Sequence, residues 1–160
     1  MKIKTYSYTF FKSRCFSSLW VVLLIFTFYA CKKSDSNNQS NINNPNNGVP
    51  VNIYLTTGTP QFLPLNIITG YTYVAGGNKG ILVYRKSQSE FLAYERNCPH
   101  DGNSVQNAIV SVTNDQITLI DSICGSKFLI TDGSIVNGPS AFPMYQYNTY
   151  FDGTSLRIYN

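Results

Sequence analysis

After residue 50 the chain is written as short runs of β-branched and aromatic residues that end at Gly, Asn-Asp or Asp-Gly pairs, and this punctuation leaves room for strands and little else. Tyr71-Thr72-Tyr73-Val74 meets Gly76-Gly77-Asn78-Lys79-Gly80, and Ile81 to Arg85 follows, which predicts two strands across a glycine turn. Phe91-Leu92-Ala93-Tyr94 is a further strand that leads directly to Cys98. Ala108 to Val112 and Gln116 to Ile120 flank Thr113-Asn114-Asp115 as a second hairpin. Phe128 to Ile130, a turn at Asp132-Gly133, Ile135-Val136, then Tyr145 to Phe151, a turn at Asp152-Gly153, and Leu156 to Ile158 close the pattern. Neither an internal repeat nor a helix stands out. The expected fold class is all-β, and the 12 tyrosines read as half-buried strand packing rather than a base-stacking platform.

The N-terminus has a different grammar. Lys2, Lys4, Lys12 and Arg14 precede a mostly apolar run from Phe16 to Tyr29, with no acid in the first thirty residues. This reads as an export signal over residues 1–30, its apolar core being shorter than the roughly 20 residues of a spanning helix. It stops at Ala30-Cys31, a small residue directly before cysteine, and so resembles a lipoprotein signal, in which Cys31 becomes the acylated N-terminus. The alternatives are an uncleaved signal anchor or an ordinary secretory peptide; Phe28 and Tyr29 depart from the usual residues before such a cysteine. Residues 31–48 are polar and Asn-rich, unable to fill a core, and read as a flexible tether. Residues 49–160 then have the size of one small domain.

The formal charge of +4 belongs to the signal. Four of the 12 Lys and Arg lie before Cys15, and the remaining eight balance the eight Asp and Glu, so no basic field is left to attract nucleic acid. The acids sit largely at expected turns and read as turn and solubility residues; no spacing specifies a hydrolytic triad or a carboxylate pair for glycoside chemistry. Of the four cysteines, Cys15 leaves with the signal and Cys31 is the acylation candidate, which leaves Cys98 and Cys124 in the domain. The hairpin between them returns the chain to the end it left, so both belong on neighbouring loops at one tip. A cysteine pair in an exported domain is ordinarily a disulfide.

Cys98-Pro99-His100-Asp101-Gly102 and Cys124-Gly125-Ser126-Lys127-Phe128, with Asp132-Gly133, Gly138-Pro139-Ser140-Ala141 and Pro143-Met144-Tyr145 after them, resemble the Rieske iron–sulfur family. The likeness covers nearly all of residues 51–160. It implies a small antiparallel β-sandwich or barrel with two cluster-type loops at one tip and a proline loop at Gly138 and Pro139 covering them. In that family C-x-H and C-x-x-H hold a [2Fe-2S] cluster through two Cys and two His. Here Lys127 stands at the position of the second histidine, and His100 is the chain's only one. A protonated amine has no lone pair for iron, and removing its proton at neutral pH costs several kcal/mol.

The resemblance therefore leaves three states of the tip open. In the first the site is degenerate and without a cofactor, Cys98 and Cys124 form a disulfide, and the domain is a non-catalytic binding or scaffold module. In the second a [2Fe-2S] cluster persists on Cys98, His100, Cys124 and an unconventional fourth ligand, such as Ser126, Asp101, solvent or a partner chain, and the protein carries electrons rather than acting as a stand-alone enzyme. In the third a single metal such as zinc sits on Cys98, His100 and Cys124 with water in the open position. The favoured expectation is the first. The implied partners are a lipid bilayer through acylated Cys31 and an unidentified protein, with no nucleic acid, on the exported side of a membrane.

Overall fold

The computed structural model describes residues 49–160, and within them ten strands and one short 3-10 helix: β1 Asn52–Thr56, the helix Pro60–Asn66, β2 Tyr71–Val74, β3 Ile81–Arg85, β4 Phe91–Glu95, β5 Val110–Val112, β6 Thr118–Asp121, β7 Lys127–Leu129, β8 Ile135–Asn137, β9 Gln146–Phe151 and β10 Ser155–Tyr159. The domain is all-β, as the strand punctuation predicts. The expected export signal, acylated Cys31 and tether lie outside the described residues. Among those described, no helix is long and apolar enough to cross a membrane.

All strand pairs are antiparallel, in two sheets ordered β1-β10-β9-β4-β3-β2 and β5-β6-β7-β8. The larger sheet turns at β9, whose first residues pair with β4 (Tyr147 opposite Ala93) while the rest pair with β10 (Phe151 opposite Leu156). One strand serving two partners in succession lets the sheet curl without a break in its hydrogen bonds.

Side-chain alternation builds two cores from the same strands. On β3 and β4, Leu82, Tyr84, Leu92 and Tyr94 face the smaller sheet and pack with Leu119, Phe128, Ile130 and Met144. Ile81, Val83, Phe91 and Ala93 face the other way, onto Leu55, Tyr147, Leu156, Ile158 and Leu65 of the 3-10 helix. Burial on both faces explains why these strands read as continuous apolar runs rather than alternating ones. The helix is absent from the sequence expectations because its seven residues are short 3-10 turns joined across a kink at Phe62, with Pro60 at the start and Pro64 inside, too short for a 3.6-residue period to show.

In the hairpin before the second cysteine, β5 begins two residues later than the predicted first arm, where Ile109 makes only an isolated bridge to Asn97, and β6 begins two residues later and ends one later than the predicted second arm, so the turn between them is wider than the sequence predicts. Asp115 is the cause: its Oδ1 accepts from the Ile117 and Thr118 amides and from the Thr113 hydroxyl, and Gln116 takes a left-handed φ of 57°, so the turn consumes residues 113–117. Asp132 and Asp152 likewise accept from amides two residues on, at Ser134 and Thr154. The expectation that acids serve turns and solubility fails for two others, since Glu95 and Asp121 are both fully buried. A strand period of two carries each of them inward.

Candidate functional site

The first cysteine loop leaves β4 at Glu95. That carboxylate, 0 % exposed, accepts from the backbone amides of Asn78 at 2.8 Å, Lys79 at 3.0 Å and Asn97 at 2.8 Å, and from the Tyr147 hydroxyl at 2.7 Å. It fastens the β2–β3 turn to the start of the loop. Lys79 in that turn reaches over the loop, and its Nζ donates to the carbonyls of Gly102 and Val105, each at 2.6 Å, and of Ala108 at 3.3 Å. Within the loop, the amides of Gly102 and Val105 donate to the carbonyls of Cys98 and Asp101. A side chain at Gly102 has no room, because its Cβ would run into the side chain of Asn97.

The second loop is tied down by short polar groups of its own neighbourhood. The Gly125 amide returns to the Asp121 carbonyl at 2.9 Å, with Gly125 at a φ of 78°, a left-handed conformation that glycine adopts freely. Asp121 Oδ1 accepts from the Ile123 amide at 2.7 Å. Buried Ser126 accepts through Oγ from the Cys124 thiol at 3.1 Å and from the Ser140 amide at 3.1 Å, which draws residues 138–140 over the loop. Gly138, at a φ of 105°, lies so near that a Cβ on it would stand 2.5 Å from Ser126 Cα.

The two loops bring Cys98 and Cys124 together at one tip, their sulfurs 3.7 Å apart. Both thiols are free, Cys98 buried at the edge of the inter-sheet core and Cys124 half-buried. Asp101 and Asp121 join them: one ligand atom from each of Cys98, Asp101, Asp121 and Cys124 lies within 4.8 Å of all the others. Burial pushes the Cys98 thiol well above the ordinary cysteine range, and the Asp121 carboxylate beside it adds to the shift because it favours the protonated thiol. The backbone N–H groups of His100 and Asp101, directed at the same sulfur, pull the other way. Asp121 Oδ2 and Asp101 Oδ1 are sealed from solvent and meet no donor of good hydrogen-bonding geometry among the described residues.

The sequence-derived candidates fall on both sides of this pocket. Cys98 and Cys124 are at its centre, and Asp101, weighed as an unconventional ligand, is in it. His100 is exposed and outside the group of ligand atoms. Ser126 is engaged with Cys124 and Ser140. Lys127 lies half-buried in β7, paired with Ile120 and Asn137, on the strand face opposite Phe128, which packs in the core beside both cysteines. Gly138 and Pro139 are exposed over the second loop. Asp121 is the residue that sequence reasoning missed. The signal was available in strand parity, because Asp121 falls two residues after Leu119 and shares its buried face.

A second, open cleft is lined by Pro64, Ile67, Thr69, Gly70, Tyr71 and Gln116, and carries neither a carboxylate nor a thiol. Among the described residues, the grouped thiols and carboxylates lie at the cysteine tip. Compared with models of known protein families and with curated proteins, the sequence finds no match.

Proposed function

We propose that this chain is an exported lipoprotein whose β domain has Rieske-type architecture without a working iron–sulfur centre, and that it serves at a membrane surface as a binding module rather than as an electron carrier. The observation that carries the reading is the composition of the tip. The ligand atoms that converge on Cys98 and Cys124 are carboxylates, while the one histidine is exposed and a lysine stands where the second would be. A Rieske centre needs two nitrogen ligands on its outer iron, and nothing in the pocket supplies them. Spacing argues in the same direction. Four ligand atoms all within 4.8 Å of one another suit one ion, whereas a binuclear cluster separates its two ligand pairs by the width of two bridged irons.

The second reading, a [2Fe-2S] cluster with unconventional ligation, draws support from Asp101 and Asp121, which bring oxygen donors to the same sulfurs. Iron and acid-labile sulfide content, with a visible spectrum, separates the two when measured on the full chain purified in detergent without oxygen. A colourless protein free of both is expected; stoichiometric iron and sulfide with a reducible chromophore would make it an electron carrier. Anchoring has its own check, since Cys31→Ser should move the chain out of the membrane fraction.

A further inference from the structure

We infer that the tip is a binding site for a single zinc ion, held by the sulfurs of Cys98 and Cys124 and by one carboxylate oxygen each from Asp101 and Asp121. This rests on the reading above that the tip holds no binuclear cluster, and it names the occupant of that same pocket.

Three independent features converge on it. The first is distance. Two thiolates on one tetrahedral zinc, each about 2.3 Å from the metal, place their sulfurs about 3.8 Å apart, and here they are 3.7 Å apart. A disulfide would require them at about 2.05 Å. The carboxylate oxygens complete a four-donor group within 4.8 Å, a spacing that one ion can span.

The second feature is a pair of buried carboxylate oxygens without a well-formed hydrogen bond. Asp121 is 0 % exposed, its Oδ1 is occupied by the Ile123 amide, its Oδ2 meets no hydrogen-bond donor of good geometry, and one of its carboxylate oxygens lies within 4.8 Å of both sulfurs. Asp101 Oδ1 is in the same condition. A buried polar atom left this way is unfavourable, and a divalent cation between the two acids gives both oxygens a partner.

The third feature is donor chemistry. Calcium and magnesium take oxygen ligands and shun sulfur, whereas a thiolate pair with two hard oxygens in a four-coordinate pocket fits zinc. Binding forms two Zn–S and two Zn–O bonds, and the two thiol protons pass to solvent. The resulting charge of the site equals that of a four-cysteine zinc site. Entry is open, because Cys124 and Asp101 are only half-buried. The rigid loops supply the rest: Lys79 and Glu95 fix the first, and Ser126 with Gly125 fixes the second, so four donors from two loops are already gathered.

The test is zinc titration of the full chain, purified without oxygen and stripped with a chelator, with cobalt(II) as the spectroscopic probe. One zinc per chain is expected, with cobalt giving thiolate charge-transfer and tetrahedral ligand-field bands. Asp121→Asn should weaken zinc by about tenfold or more, since losing a ligand costs at least what losing a group behind a ligand does. Asp101→Asn, at a half-exposed position, should do the same and keeps the test sound if the buried variant misfolds. His100→Ala should leave affinity and spectrum unchanged. A folded chain that takes neither zinc nor cobalt, with Cys98 and Cys124 as free thiols or a disulfide, overturns the zinc site and leaves the cluster-free reading standing. Iron and sulfide in equal stoichiometry overturn both. Loss of zinc binding in His100→Ala with retention in the Asp variants overturns the ligand set.

Discussion

The two cysteine loops meet at the same tip but are held by opposite means. The first is anchored at long range by full charges, with buried Glu95 gathering three amides and a hydroxyl and Lys79 capping carbonyls up to 29 residues away. The second is anchored locally, by a glycine turn, the carboxylate of Asp121 at the end of β6 and the Ser126 hydroxyl. The contrast follows from the chain path. The first loop is long, running from β4 to β5, and has few ladder hydrogen bonds of its own beyond a single bridge between Asn97 and Ile109. The second is a tight connection between paired strands and needs only its turn closed. The long loop is positioned by side chains that reach it from other elements, whereas the short one is positioned by its own turn and by side chains next to it in sequence.

Breaking the charged anchor should have the largest effect. Glu95→Ala leaves three amides and the Tyr147 hydroxyl without their shared acceptor, and the expected loss is about 3–5 kcal/mol in urea unfolding. Little change there would mean that Glu95 does not hold the first loop. Lys79→Met keeps the stem and removes the three carbonyl contacts, for an expected loss of about 2 kcal/mol. The sharper readout is amide exchange, which should quicken across residues 100–108 and leave residues 122–126 as they were; equal quickening in both loops would erase the distinction between them.

On the second loop, Ser126→Ala strips the acceptor from the Ser140 amide and the Cys124 thiol. It should cost about 1–2 kcal/mol and raise the reactivity of Cys124 toward a thiol reagent while Cys98 stays protected. The smallest effect belongs to the exposed turn that joins the two regions. Hydrogen bonds from the Thr113 hydroxyl and the Thr118 and Ile117 amides hold the Asp115 carboxyl well below the usual carboxylate range. Because its folded value lies below its unfolded one, the stabilisation is complete above about pH 4 and fades as pH falls toward the folded value. Asp115→Asn should therefore unfold more readily than the parent at neutral pH and converge with it in acid. A gap that persists unchanged at low pH would assign the effect to something other than charge.

The strands and turns were legible because hairpin signals are local: Gly76 to Gly80, Asp132-Gly133 and Asp152-Gly153 each declare a turn within a few residues. The partition into two cores was not, because nothing local distinguishes Leu82 from Val83 until β9 is known to join β4 to β10. The cysteine pair was legible from the hairpin between the loops. His100 drew attention through its place two residues after Cys98, yet closeness in a loop does not fix direction, and its side chain is exposed. Glu95 and Asp121 were hidden for the opposite reason. Each ends a strand, where an acid is expected in solvent, and each is turned inward by the parity of the residues before it.

What the cysteine tip binds decides between a binding module and an electron carrier. The most direct measurement is the intact mass of the full chain under native conditions, taken in detergent after purification without oxygen and repeated after denaturation. The predicted result is a native mass exceeding the denatured one by a single zinc ion, with Cys98 and Cys124 both reduced. A native excess matching two irons and two sulfides would contradict the account and make the domain an electron carrier.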